Sequence, residues 1–313
     1  MVQPPGPTRQ VQIAHIATEY YLHGRTRIEI AESTGLSRFK VGRLLEEAVE
    51  VGIVRFEIAS PSGVRLDLSV QLRERFGLEH VVVVDVPIES PTAIQESLGG
   101  AAAELLQEIL GEDDVLGVTS GRTINAMARS LQSLPCRRVV QLAGAAGPIL
   151  QSGLEVMRRL STIGGVRPSP IYSSLVMSDA QAAEGVRRQP DVRQTFDQFS
   201  RVTVAIGAIG SWLPRNSLMI ENHALTDTDR QSLLDKGVVA EIAATLVTDS
   251  GDVINDLNDR FIAITEEQLR AIPTIVAVAG GASKTRAIRA VLNAKLLTGL
   301  VTDSETAERL IGG

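Results

Sequence analysis

A single cysteine in 313 residues, Cys136, excludes an internal disulfide and any site built on several thiolates, and it points to a reducing, cytoplasmic setting. Four histidines, His15, His23, His80 and His223, leave few groups for proton transfer. Aromatic residues are only 3% of the chain, so any core must be assembled from Val, Ile, Leu and Ala. No apolar stretch approaches the roughly 18–20 residues that a membrane span requires. The opening "MVQPPGPTRQ" lacks the apolar segment of a secretion signal and reads as an unstructured lead-in. H-E-x-x-H, C-x-x-C and G-x-S-x-G are all missing, which removes support for a zinc hydrolase, a thiol redox centre or the usual serine nucleophile. There is no excess of positive charge either. The net charge of −6 argues against a protein that coats nucleic acid, but a small DNA-reading module on an acidic body stays open because the phosphate field acts locally.

What is present is an ordinary globular composition, 44% hydrophobic and 22% charged, in a length that suits one small and one large domain. Residues 9–51 carry helical periodicity. A first helix is expected from about Thr8 to Leu22, with Ile13, Ile16, Ala17 and Tyr20 on one face. A second covers 27–35 and stops at Gly35. The third follows Ser37, a good N-cap, with Val41, Leu44, Leu45 and Ala48 spaced for burial. Two helices joined through "TGLS" suit a helix-turn-helix, in which Arg38, Lys40 and Arg43 project from the helix that enters the major groove. Thr26, Ser37 and Phe39 complete the candidate DNA-contact set. The competing reading is a solvated helix face, because Glu46, Glu47 and Glu50 follow at once and residues 1–60 hold seven Lys/Arg against seven Asp/Glu. "IVRFEI" (53–58) alternates like a strand and is expected as a wing. "ASPSGV" (59–64) reads as a linker, which sets domains at 1–60 and 61–313.

Beyond a connecting helix at 65–77, apolar strands alternate with helical segments. Strands are expected at 80–86, 114–119, 138–144, 201–210, 241–247, 274–281 and 299–303, which predicts a parallel α/β sheet covered on both faces. Four strand ends carry glycines. "AVAGGASKT" offers Gly280, Gly281 and Lys284, although Val278 and Ser283 stand where a P-loop needs glycine. "VTSGRT" offers Ser120, Gly121, Arg122 and Thr123 at a helix N-terminus, a cradle suited to phosphate. Gly144 and Gly207 mark two further loops. Loops at the carboxyl ends of such strands converge on one crevice, so together they predict a small anionic ligand; G-x-G-x-x-G is absent from all four, which disfavours a dinucleotide. His223 beside Glu221 and Asn222 is the one candidate for acid–base work. Asp249, Asp252, Asp256 and Asp259 lack calcium-loop spacing and suggest a solvated excursion. No catalytic residue, metal or cofactor is expected.

The order "GRTRIEIAESTGLSRFKVGRLLEEAVEVGIVRFEI", "DVLGVTSGRTINAMA", "VVQLAGAAG", "VAIGAIG" and "AVAGGASKTRAIRAVLNAKLLTGLVTD" resembles the SorC family of bacterial sugar-responsive regulators, from about residue 9 to the C-terminus. The resemblance implies a winged helix-turn-helix, a Rossmann-like effector domain related to sugar-phosphate isomerases and deaminases, dimers or tetramers on operator DNA, and control by a phosphorylated sugar or similar metabolite. It implies that Ser37, Arg38, Lys40 and Arg43 contact DNA, and that Ser120–Thr123 with Gly280, Gly281 and Lys284 hold the phosphate. This chain departs from many members in lacking an aromatic residue at 120. The alternative class is a sugar-phosphate isomerase or deaminase with a helical N-terminal appendage.

Overall fold

A computed structural model describes residues 5–56, 63–86, 90–147, 153–163 and 165–313. The chain divides into two compact units, Met1–Ala59 and Ser60–Gly313. In the first, α1 (Pro7–Ala17) starts with a proline in its first turn, where a missing N–H costs nothing, and its end widens into a π-helical turn at Thr18–Leu22. Thr26 and Glu29 form a capping box that starts α2 (Arg27–Thr34), and Gly35 stops it at φ 69°. Ser37 accepts from the Lys40 amide at 3.2 Å and opens α3 (Arg38–Glu50). Ile13, Ile16, Ile30, Val41, Leu44, Leu45 and Ala48 make a closed core among the three helices. Arg9 forks onto Glu47 at 2.8 and 2.7 Å and ties α1 to α3 across the surface.

The wing read from "IVRFEI" is corrected in part. Gly52 turns the chain at φ 73°, the Val54 amide is used on the Ala48 carbonyl at 2.8 Å to finish α3, and residues 53–56 form no strand. Among the described residues this unit holds no second strand for them to pair with. Residues 57–58, and 59–62 of the expected linker, lie outside the described residues.

The second unit opens with α4 (Leu66–Phe76), β1 (His80–Val84), α5 (Pro91–Ile109), β2 (Val115–Val118), α6 (Arg122–Ser130), β3 (Arg138–Gln141), α7 (Gly153–Leu160) and β4 (Arg167–Ser169). Two short helices, α8 (Ala180–Arg187) and α9 (Pro190–Phe196), lead to β5 (Val204–Gly207) and β6 (Ile209–Ser211). Then come α10 (Asp227–Asp235), β7 (Val238–Ile242), β8 (Thr245–Thr248), β9 (Val253–Ile254), α11 (Glu266–Arg270), β10 (Thr274–Val278), α12 (Thr285–Asn293), β11 (Gly299–Asp303) and α13 (Ser304–Gly312).

Seven strands pair in parallel in the order β1-β11-β10-β5-β2-β3-β4. Both faces are covered, so successive side chains enter different cores: Ile275 and Ala277 pack with Leu72, Ile288 and Leu310, while Val276 and Val278 pack with Leu98, Leu106 and Met127.

The parallel reading holds for β5 within 201–210 but fails at the end of that segment and at 241–247. The first segment breaks after Gly207, and Ile209–Ser211 joins a separate antiparallel sheet in the order β6-β7-β8-β9. The second is the tip of a hairpin whose turn is Ala243 and Ala244, at φ 49° and 68°. Such turns normally announce themselves with Asn-Gly or Asp-Gly. Two alanines give no such signal, so the reversal was invisible in the pattern.

Candidate functional site

Loops after β2, β5 and β10 meet the antiparallel sheet around a cavity of about 390 Å³. The β2 loop carries Thr119, Ser120 and Gly121 into α6. It sits tightly against the β5 exit: a Cβ on Gly121 would lie 2.5 Å from the Ala208 Cβ, and the Ala208 amide donates to the Thr119 hydroxyl at 3.2 Å. Thr123 donates to the Val278 carbonyl at 3.0 Å and so ties α6 to the end of β10. The β10 loop is held from below by Asp303, which accepts from the Gly281 amide at 2.6 Å while capping α13 through Thr306 at 2.9 and 2.8 Å. The first N–H groups of α6 have no intrahelical partners and lie at the positive end of its dipole.

Two cations, one buried acid and the half-buried Glu305 line this space. Lys284 is half-buried and donates to the Ile209 carbonyl at 2.6 Å. Burial pushes its amine down to about 8, the neighbouring Glu241 charge opposes this, and Arg122 adds to it. Arg122 is exposed at the rim and donates to Asn216 Oδ1. Glu241 accepts from Ser217 Oγ at 2.5 Å and from the Trp212 indole N–H, and burial raises its pKa above the ordinary carboxylate value. It stands opposite Gly210 across the β6–β7 pair, where a Cβ would lie 1.7 Å from Glu241 Oε1. Glycine at 210 is therefore the condition for the carboxylate to lie over β6. Ile209, Leu218 and Met219 supply apolar wall. Such a cavity can neutralise an anion at one side and accept hydroxyl protons at another.

Of the expected effector residues, Ser120, Gly121, Arg122, Thr123, Gly280, Gly281 and Lys284 line one cavity. Gly144 and Gly207 do not. Gly144 donates to the Ile262 carbonyl at 2.8 Å and presses on the Ser174 backbone, where a Cβ would be 2.7 Å from the carbonyl oxygen. Gly207 makes room for Thr119, 3.0 Å from its missing Cβ. Both are packing glycines. His223 and Glu221 are exposed and line no part of the cavity. Asp249 is engaged with Arg286 at 2.8 and 2.9 Å outside it. Glu241, Asn216 and Ser217 were not anticipated; the one available signal was an acid inside the apolar run "VVAEIAATLV".

In the first unit, Arg38, Phe39, Lys40 and Arg43 are all exposed, and Ser37 and Thr26 serve as helix caps. Thr26 uses both backbone and hydroxyl on Glu29, at 2.8 and 2.9 Å, which makes its role structural in the free chain.

Residues 61–312 match the family described as "Putative sugar-binding domain". The transcriptional regulator LsrR of Enterobacter sp. (strain 638) is 30% identical over 310 residues, covering 97% of this chain and 94% of that one. The chain belongs to the SorC family of sugar-binding transcriptional regulators. The chain is also similar to the uncharacterized transcriptional regulator YjhU of Escherichia coli (strain K12), 28% identical over 96% of this chain and 94% of that one. The fold agrees with that of the full-length sorbitol operon regulator SorC from Klebsiella pneumoniae, with a TM-score of 0.70 at 21% identity over 97% of this chain and 99% of that one. A DeoR family transcriptional regulator from Listeria monocytogenes gives a TM-score of 0.69 at 25% identity over 78% and 98%. No helix among the described residues is long and apolar enough to cross a membrane.

Proposed function

We propose that this SorC-family regulator binds operator DNA through α3 and answers to a phosphorylated sugar held in the 390 Å³ cavity. The observation that carries the phosphate half of the reading is the pairing of Arg122 at the start of α6 with half-buried Lys284 before α12, both on one cavity. Phosphate is the anion such a pair of helix starts and cations suits. Glu241, Ser217 and Asn216 face the same space and suit the hydroxyls of a sugar. The reading is one of sensing without turnover, since among the described residues no histidine reaches the cavity and Glu241, the acid at its centre, is bound by Ser217 and Trp212.

The regulator acts, in this reading, as a homodimer or homotetramer. An effector bridging loops from β2, β10 and the antiparallel sheet shifts subunits relative to one another, and a change of a few ångströms in half-site spacing weakens an operator complex.

A gel shift on the DNA upstream of the protein's own gene, run against pentose and hexose phosphates and their unphosphorylated parents, tests both halves. The expected result is a shift at low salt that one phosphate ester alters and its parent sugar does not. No shift at any salt overturns the DNA half. A response to the parent sugar alone overturns the phosphate half.

A further inference from the structure

The outward edge of α3 is headed by an aromatic ring. At about 100° per residue, Phe39 lies roughly opposite the centre of the stripe formed by Val41, Leu44, Leu45 and Ala48, and Arg43 follows it one turn later. The stripe is buried, whereas Phe39 is 70% exposed. Phe39 belongs to no core: the three helices close theirs without it. The Arg38 guanidinium lies 4.8 Å from its ring centroid, which holds the phenyl and a cation side by side. A shallow hollow begins at this ring. It is lined by Phe39 and by Ile28 of α2, itself 57% exposed, with Arg27, Arg38 and Arg43 around them and one acid, Glu46, at the end one turn beyond Arg43.

An apolar spot beside three arginines and a single acid is a poor solvent face and a good fit to one groove. In a helix-turn-helix the first residues of the second helix meet base edges. Among the groups that base pairs present in the major groove, only the thymine 5-methyl is apolar. The arginines around the hollow suit the phosphates and guanine edges on either side. Phe39 would gain nothing from a G·C pair at its own position, where it would desolvate polar edges without replacing their hydrogen bonds.

We infer that Phe39 is a specificity-determining residue that reads the 5-methyl group of a thymine in each operator half-site. The inference rests on the DNA-binding reading above. It makes thymine preference at one position a property of the ring, separate from the affinity supplied by Arg38, Lys40 and Arg43.

The test uses the full-length chain and a duplex recovered by selection from a random library. Each thymine is replaced in turn by deoxyuridine, which removes one methyl and leaves every hydrogen-bonding group in place. For the wild-type chain, one thymine per half-site should be sensitive, with affinity falling about fourfold, the value of one buried methyl. Phe39→Ala should bind more weakly and show no difference between thymine and deoxyuridine there, while Phe39→Leu should retain part of it. Because Phe39 is exposed, both variants should fold with unchanged melting temperature. Binding with no methyl-sensitive position, or sensitivity that persists in Phe39→Ala, overturns the inference and leaves DNA binding intact. Failure to select any duplex at low salt overturns the DNA-binding reading and this inference with it.

Discussion

If the proposed effector site is right, Lys284 should make effector binding depend on pH in a direction set by its burial. Its amine titrates near 8 in the free protein, below the ordinary 10.5. Most copies are therefore charged at pH 7, and roughly one in ten at pH 9. A sugar phosphate keeps its dianionic form over that range, because its second ionisation lies near pH 6. Affinity should therefore fall about tenfold between pH 7 and pH 9, measured by titration calorimetry with the phosphate ester chosen from the gel-shift panel. Lys284→Arg keeps its charge throughout and should give a flat profile. Lys284→Met should also be flat but roughly 10- to 150-fold weaker, the loss of a charged hydrogen bond worth about 1.5–3 kcal/mol. The same shift has a consequence for stability without effector. The folded pKa lies below the unfolded one, so the unfolded chain binds more protons between about 8 and 10.5, and stability should rise with pH across that window. The gap corresponds to about 3 kcal/mol at most. A wild-type affinity that does not change between pH 7 and pH 9 would refute the assignment of a charged Lys284 to the phosphate.

Other expectations follow from the same geometry. Gly210→Ala places a Cβ against Glu241 Oε1 and must move the carboxylate; a loss of about 1–3 kcal/mol in thermal unfolding, with weaker effector binding, is expected. Arg38→Ala with Lys40→Ala should weaken operator binding and reduce the slope of log affinity against log salt by about 0.9 for each phosphate that is no longer neutralised, while effector affinity holds. Ser37→Ala removes the α3 cap and should cost about 1 kcal/mol of stability in the first unit, visible as a lower urea midpoint. Arg122→Ala should abolish the effector response and leave DNA affinity intact; an unchanged response would remove Arg122 from the site.

The helices of the first unit were legible because their signals are local. Caps at Thr26 and Ser37, the stop at Gly35 and the 3.6-residue spacing of Val41, Leu44, Leu45 and Ala48 are all written in neighbouring residues. So were the seven cavity-lining residues of the β2 and β10 loops, because a strand ending in small residues before a helix has one common use. The positions of the second unit that failed depended on neighbours distant in sequence. Gly144 and Gly207 look like Gly121 in the chain, yet only the packing of Ser174 and Thr119 against them decides that they face protein and not ligand. The Ala243–Ala244 turn reverses the chain without turn residues, held by the pairing of β7 with β8. That reversal carries Glu241 over Gly210 and toward Lys284, whose side chain reaches the Ile209 carbonyl 75 residues away. Local propensity and periodicity thus determined the helices, most of the strands and which strand ends carry small residues before a helix. Which of those strand ends share a cavity, and which acid joins them, was decided by tertiary packing, because burial and Coulomb interactions depend on distance in space and not on separation along the chain.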